Sequence, residues 1–283
     1  MTSHPADPPS DTTERMHPSF ALSNRSDAFI YACHLATYDF ARTYAERARV
    51  LDFGCGTGYG TYRLAPSCRS IVGVDISSAA IDEASTTYRS PDLRFERIDP
   101  VEVRPLRFDD DAFDLVLSFQ VFEHLSDPEA YLDEVRRVLA PGGTFICVTP
   151  ERSPRLFAGQ RPWNVFHLRE YSQDEMRSWM STRFVDVEVA GMTARQDLLS
   201  MEMRRVRRLR LLTYPVTFPG APERLRVAGL GRLKRLRGGR EATVGSHDAP
   251  SALSDWGFDE HDVEVFTIGA PSLNVVAVGR TPA

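Results

Sequence analysis

The sequence predicts an α/β fold with a mostly parallel sheet and helices on both faces. Two observations carry this. Short apolar runs alternate with amphipathic stretches from about residue 49 to 148, and the first run breaks into a glycine turn, Gly54-Cys55-Gly56-Thr57-Gly58. Strands alternating with helical patterns build parallel sheets, because each crossover helix returns the chain to the same end.

The elements follow in order. Residues 1–18, rich in Pro, Ser, Thr and Asp, read as a mobile tail. Residues 19–48 form a helical cap, with Phe29, Ile30, Cys33, Leu35, Phe40 and Tyr44 among its apolar positions. Val50–Phe53 is a strand, followed by a helix through Leu64. Ile71–Val74 is the second strand, and Ser77 or Ser78 caps a helix to about Tyr88. Leu93–Ile98 is a strand ending at Asp99, and Phe113–Phe119 is an apolar strand. Asp127-Pro128 opens a helix that Pro141-Gly142-Gly143 stops, and Thr144–Val148 is the fifth strand. Phe184–Val189 and Leu273–Val278 also read as strands, separated by roughly 80 residues, far more than a hairpin loop. The core domain is therefore 49–192 plus 272–283, and 193–271 reads as an insertion over the sheet's carboxyl edge.

A chain of 283 residues with 42% hydrophobic content can bury a large core. No apolar run approaches the roughly 20 residues of a membrane span. The N-terminus shows no basic-then-apolar export signal, so a cytoplasmic location is expected. Cys33, Cys55, Cys68 and Cys147 lack CxxC spacing and read as small apolar residues in a reducing compartment. Lys234 is the single lysine, which disfavours Schiff-base chemistry.

The glycine turn permits sharp turning and lets a ligand lie against bare backbone. Asp75 closes the second strand seventeen residues after Gly58, where a carboxylate can accept two hydrogen bonds from a ribose diol. A dinucleotide fingerprint would need a small residue at its sixth position, but Tyr59 or Thr61 stands there. Ligands of open α/β sheets sit beyond the strands' carboxyl ends. Asp52, Gly54, Gly56, Asp75, Ile76, Asp99, Phe119 and Gln120 fall at such ends and share one expected pocket.

This segment resembles motif I of class I S-adenosylmethionine-dependent methyltransferases. The resemblance covers about residues 28–192 and 272–280. It implies a Rossmann-like seven-stranded sheet with an antiparallel edge pair, S-adenosyl-L-methionine as donor and S-adenosylhomocysteine as product. Asp99 would then receive the adenine amino group, and Phe119 would press on the adenosine or the methionine arm. Phe113-Asp114-Leu115-Val116-Leu117-Ser118-Phe119-Gln120-Val121-Phe122-Glu123-His124-Leu125 is similar to motif IV of the branch holding ubiquinone-pathway and bacterial sugar O-methyltransferases. Ubiquinone members associate two glutamates and a histidine there with a divalent metal. Glu123 and His124 match, but Gln120 replaces the first glutamate, and an amide is a poorer ligand for Mg2+. Trp163-Asn164-Val165-Phe166-His167-Leu168-Arg169-Glu170-Tyr171 resembles the branch's Asn-Pro-Phe-His-x-Arg-Glu segment, with Val165 in place of proline. The ending Ala270–Val278 is similar to the last strand of bacterial sugar O-methyltransferases.

A hydroxyl attacking a sulfonium methyl must lose its proton, and histidine titrates near neutrality. His124 and His167 are therefore the base candidates, with Glu123 beside them; the alternative is that Glu123 and His124 brace a helix start. The expected reaction is methylation of a hydroxyl on a small metabolite or glycan, sugars favoured. No Asn/Asp-Pro-Pro-Tyr/Phe motif follows the fourth strand, which weighs against methylation of nucleic-acid bases.

Between Met203 and Arg240 the charge is +11 against −5 for the chain. One reading is an arm for an anionic or lipid-linked acceptor, a membrane surface or RNA. The other is a solvated arginine face paired with the acidic body. An RNA-associated module using 203–240 and an NAD-dependent oxidoreductase are the rival functions.

Overall fold

The computed structural model describes residues 22–101, 104–238 (side chains through 233), 252–269 and 271–283. The expected tail at 1–18 lies outside these residues, as do the side chains of Lys234, Arg235 and Arg237.

Helix α1 (Arg25–Ala45) begins at Asn24, whose side chain accepts the Asp27 amide at 3.0 Å. The alternating core follows as β1 (Arg49–Phe53), α2 (Tyr59–Leu64), β2 (Ser70–Asp75), α3 (Ser78–Thr87), β3 (Leu93–Arg97), β4 (Phe113–Phe119), α4 (Pro128–Val138) and β5 (Leu139–Pro150). Ser77 caps α3 and Asp127 caps α4, each accepting a backbone amide inside the first turn. A one-turn helix α5 (Arg152–Arg155) and α6 (Gln173–Met180) lead to β6 (Val185–Ala194). Then come α7 (Gln196–Thr217), α8 (Glu223–Gly238), β7 (Val263–Thr267) and β8 (Asn274–Arg280).

The sheet order is β3-β2-β1-β4-β5-β8-β6-β7. Strands β1 to β5 run parallel, and β8 lies antiparallel to both β5 and β6. The sheet has eight strands, one more than expected. The extra strand, β7, comes from within 193–271 and pairs antiparallel with β6, Ala194 opposite Val263. It has a strand neighbour on one side only and alternates buried Val263 with exposed Glu264, so its apolar run is too short to stand out. Among its described residues the insertion holds two α-helices, two short 3-10 turns and this edge strand.

Helix α4 ends at Val138, ahead of Pro141-Gly142-Gly143, which instead form a bulge inside β5. The register jumps from Phe113 opposite Leu139 to Leu115 opposite Thr144, and Gly142 takes φ 72° within that jump. Val50, Leu51, Leu115, Val116 and Ile146 are fully buried, as central parallel strands covered on both faces require. Each such side chain contributes about 1.5–3 kcal/mol relative to exposure. Helices α4 and α6 fill the core on one face; α1 fills the other, through Ala28, Ala32 and Ala41. All four cysteines are free.

Candidate functional site

The carboxyl ends of β1, β2 and β4 open onto a cavity of about 910 Å3. Its floor is the glycine turn. Gly56 has φ 54°, and a Cβ there would meet nothing within 4 Å, so the loop presents bare backbone to open space. Gly58 has φ 81°, and a Cβ would lie 2.7 Å from the Phe95 ring and 2.8 Å from Ala84 Cβ. That clearance lets α2 start directly against β3 and α3.

Asp75 locks this floor. Its Oδ2 accepts the Gly56 amide at 3.1 Å and its Oδ1 the Ser77 amide at 2.8 Å. The carboxylate lines the cavity together with Ile76. Gln120 ends β4 at φ 57°, a left-handed conformation that costs a side-chain-bearing residue on the order of 1–3 kcal/mol. Its amide nitrogen donates to Val148 O at 2.8 Å, and its side chain reaches Asn274 Oδ1 at 3.4 Å. Phe119 stands edge-on to Tyr38, with ring centroids 5.0 Å apart.

Gly54, Gly56, Asp75, Ile76, Phe119, Gln120, Glu123, His124 and His167 thus share the cavity. Two expected residues, Asp52 and Asp99, are not among those lining it. Asp52 lies beneath the loop, 1% exposed, accepting Tyr38 Oη at 3.0 Å and Thr61 Oγ1 at 2.6 Å. Burial pushes its carboxyl up to about 6, against the two hydroxyl donors. Asp99 pairs with Arg97 at 3.1 Å and lies 4.0 Å from Arg104, while its neighbours Ile98 and Pro100 line the cavity.

The opposite end holds the titratable cluster. The Leu168 and Arg169 amides donate to Glu123 O at 2.8 and 3.3 Å, stitching the 163–171 loop onto the turn after β4. This brings His167 against His124, with ring centroids 5.0 Å apart at 85°. His124 Nδ1 lies 3.0 Å from Phe166 O; a carbonyl only accepts, so Nδ1 carries the proton and Nε2 the lone pair. His167 Nδ1 lies 2.9 Å from Glu170 Oε1, and Arg155 holds the same carboxylate through two bonds at 2.8 and 3.0 Å. Burial raises the Glu170 carboxyl, but the Arg155 charge and the bonds from His167 and Arg155 outweigh it and hold the group below its ordinary range. Glu123 is 1% exposed, with Oε2 accepting Thr149 Oγ1 at 2.9 Å and Oε1 without a hydrogen-bond partner.

Ligand atoms of Glu123, His124 and His167 all lie within 4.8 Å of one another. The set is one carboxylate and two imidazoles, and Gln120 points away to Asn274. Mg2+ prefers six oxygens in a strict octahedron, whereas such nitrogen-rich sets suit Zn2+ and its neighbours. The residues do not fit Mg2+.

Sequence reasoning expected the N-terminal helix and the insertion to cover the acceptor, but named none of the residues they bring to the cavity. His34 and Tyr38 from α1, Arg155 and Trp163 from the 152–164 segment, and Glu202, Met203 and Arg205 from α7 all line it. His34 Nδ1 contacts Tyr59 Oη at 2.7 Å, and burial pushes the ring down to about 4. The readable signal was the four-residue spacing of Ile30, His34 and Tyr38, which puts a polar ring on an otherwise apolar face.

Comparison with known proteins agrees with this geometry. Residues 51–147 match the Methyltransf_11 methyltransferase domain family. A Mycobacterium tuberculosis protein named "Probable S-adenosylmethionine-dependent methyltransferase" is 30% identical over 194 residues, 68% of each chain. A Mycolicibacterium smegmatis protein of the same description is 32% identical over 177 residues, 62% of this chain and 65% of its own length. A ubiquinone biosynthesis O-methyltransferase of Maricaulis maris is 34% identical over 113 residues, 40% of this chain and 44% of its own.

Among solved structures, a SAM-dependent methyltransferase of Thermotoga maritima superposes with TM-score 0.53 at 16% identity, covering 94% of this chain and 98% of its own. The [4+2]-cyclase SpnF gives the same TM-score at 20% identity, covering 88% and 81%. Fold alone therefore does not choose the reaction. The sequence relatives do, and they displace the dinucleotide reading: the chain belongs to the class I S-adenosylmethionine-dependent methyltransferases.

Proposed function

We propose that this methyltransferase acts on a hydroxyl of a small metabolite or glycan, with a sugar hydroxyl favoured. The observation that carries the reading is His124. Phe166 O fixes its tautomer, so Nε2 offers a lone pair at the cavity end opposite Asp75. The donor supplies an electrophilic methyl on a sulfonium. The acceptor oxygen forms the new O–C bond as the C–S bond breaks, its electron pair staying on sulfur. His124 Nε2 takes the hydroxyl proton. His167, braced by Glu170 and Arg155, packs edge-on against the His124 ring and holds it in place. Alignment and exclusion of water supply most of the remaining acceleration. Similarity to ubiquinone O-methyltransferases supports oxygen as the accepting atom.

The test is incubation of the protein with isotopically labelled donor and candidate acceptors or extracts, with products read by mass spectrometry and NMR. A labelled methoxy carbon is expected. Label found only on nitrogen or carbon would remove the O-methyl reading while leaving the family intact.

A further inference from the structure

A second cleft of about 900 Å3 adjoins the donor cavity, and Pro154 and Met203 form part of the lining of both. One wall is α7, which presents Arg204, Arg207 and Arg210 at three-residue spacing. The other wall is the turn after β5 and the start of α6, with Ser153, Ser172 and Gln173. Arg204 and Arg207 are exposed, and among the described residues no carboxylate pairs with any of the three. Arg210 lies flat over the Phe157 ring at 4.2 Å, and its Nε is closed off from solvent without an acceptor. An arginine donor left unpartnered and buried is costly, and an anion in the cleft would relieve that cost. Glu151 and Asp174 lie among the residues of the opposite wall and confine the positive field to the α7 side. Arg205, between Arg204 and Arg207 in sequence, is instead closed in a two-bond pair with Glu202.

We infer that Arg204, Arg207 and Arg210 form a subsite for a phosphoryl group carried by the acceptor, whose hydroxyl reaches past Pro154 and Met203 to the donor. The inference rests on the acceptor cavity proposed above and narrows its substrate class to phosphorylated molecules. Three guanidinium forks match a group with three equivalent oxygens better than a planar carboxylate with two. The serine hydroxyls opposite supply further donors.

The experiment uses the full chain and calorimetric titration. Inorganic pyrophosphate probes a soluble phosphorylated acceptor, and phosphatidic acid vesicles against phosphatidylcholine vesicles probe a lipid-borne phosphate monoester. Saturable binding of pyrophosphate or of the anionic vesicles is expected, and which of the two binds identifies the source. Arg204→Gln and Arg207→Gln, both at exposed positions, should each weaken that binding about tenfold and together at least fiftyfold. S-adenosylhomocysteine affinity, measured in the same samples, should stay within twofold. Absence of binding to either probe, or binding unchanged in the double variant, overturns the subsite. Intact S-adenosylhomocysteine affinity in that case leaves the methyltransferase reading standing.

Discussion

Asp75, at the tip of β2, accepts the amide of Gly56 in the loop after β1 at 3.1 Å. One carboxylate therefore shapes the loop that faces the donor and remains in the cavity wall itself. Replacement by alanine releases the Gly56 and Ser77 amides together and removes the proposed acceptor for a ribose diol. Bonds to a charged acceptor contribute roughly 1.5–3 kcal/mol each. Asp75→Ala is expected to weaken S-adenosylhomocysteine binding about a hundredfold in calorimetry, and Asp75→Asn less. Affinity within threefold of the parent would place the donor elsewhere.

In the proposed mechanism His124 and His167 divide the acceptor-side chemistry between them. His124→Ala removes the base, and general-base catalysis typically contributes 10²–10⁴-fold. Its kcat should fall in that range, with donor affinity within threefold. His167→Ala should cost about tenfold in kcat by loosening His124, and His167→Asn should recover part of that loss. Loss of donor affinity in step with turnover would assign both rings to folding instead.

The Glu123, His124 and His167 donors predict a particular response to metals. Mg2+ in the millimolar range and its removal by chelator should change turnover less than twofold. Zn2+ in the micromolar range should inhibit, because it takes the imidazole lone pair that removes the proton, and chelator should restore activity. Dependence of turnover on Mg2+ would show that oxygens from substrate complete a site these side chains do not form.

The parallel half of the sheet was legible in the sequence because buried central strands leave continuous apolar runs, and Gly54, Gly56 and Asp75 mark its carboxyl edge. The surroundings of Asp52 and Asp99 were not legible. Position at a strand end is visible in sequence, but the partner a carboxylate chooses is not: Asp52 turns to Tyr38 and Thr61, and Asp99 to Arg97. Strand β7 escaped notice because it is a short, half-exposed edge strand. The closeness of His124 and His167 depends on the Glu123 carbonyl accepting the Leu168 and Arg169 amides, a link across 45 residues that no local pattern encodes.

His34 carries the expected dependence of stability on pH. Burial depresses its pKa to about 4, from an unfolded value of about 6.5. The unfolded chain therefore binds the proton first as pH falls. The stability tied to the neutral ring is fully present above about pH 6.5 and is lost as pH falls toward 4. A shift of this size corresponds to roughly 1–3 kcal/mol for a partly buried ring. His34→Gln keeps a polar partner for Tyr59 and cannot titrate. Its melting temperature should lie below or near that of the parent at pH 7 and rise relative to it by several degrees at pH 4.5. A constant difference across that range would mean that His34 charges as readily in the folded chain as in the unfolded one.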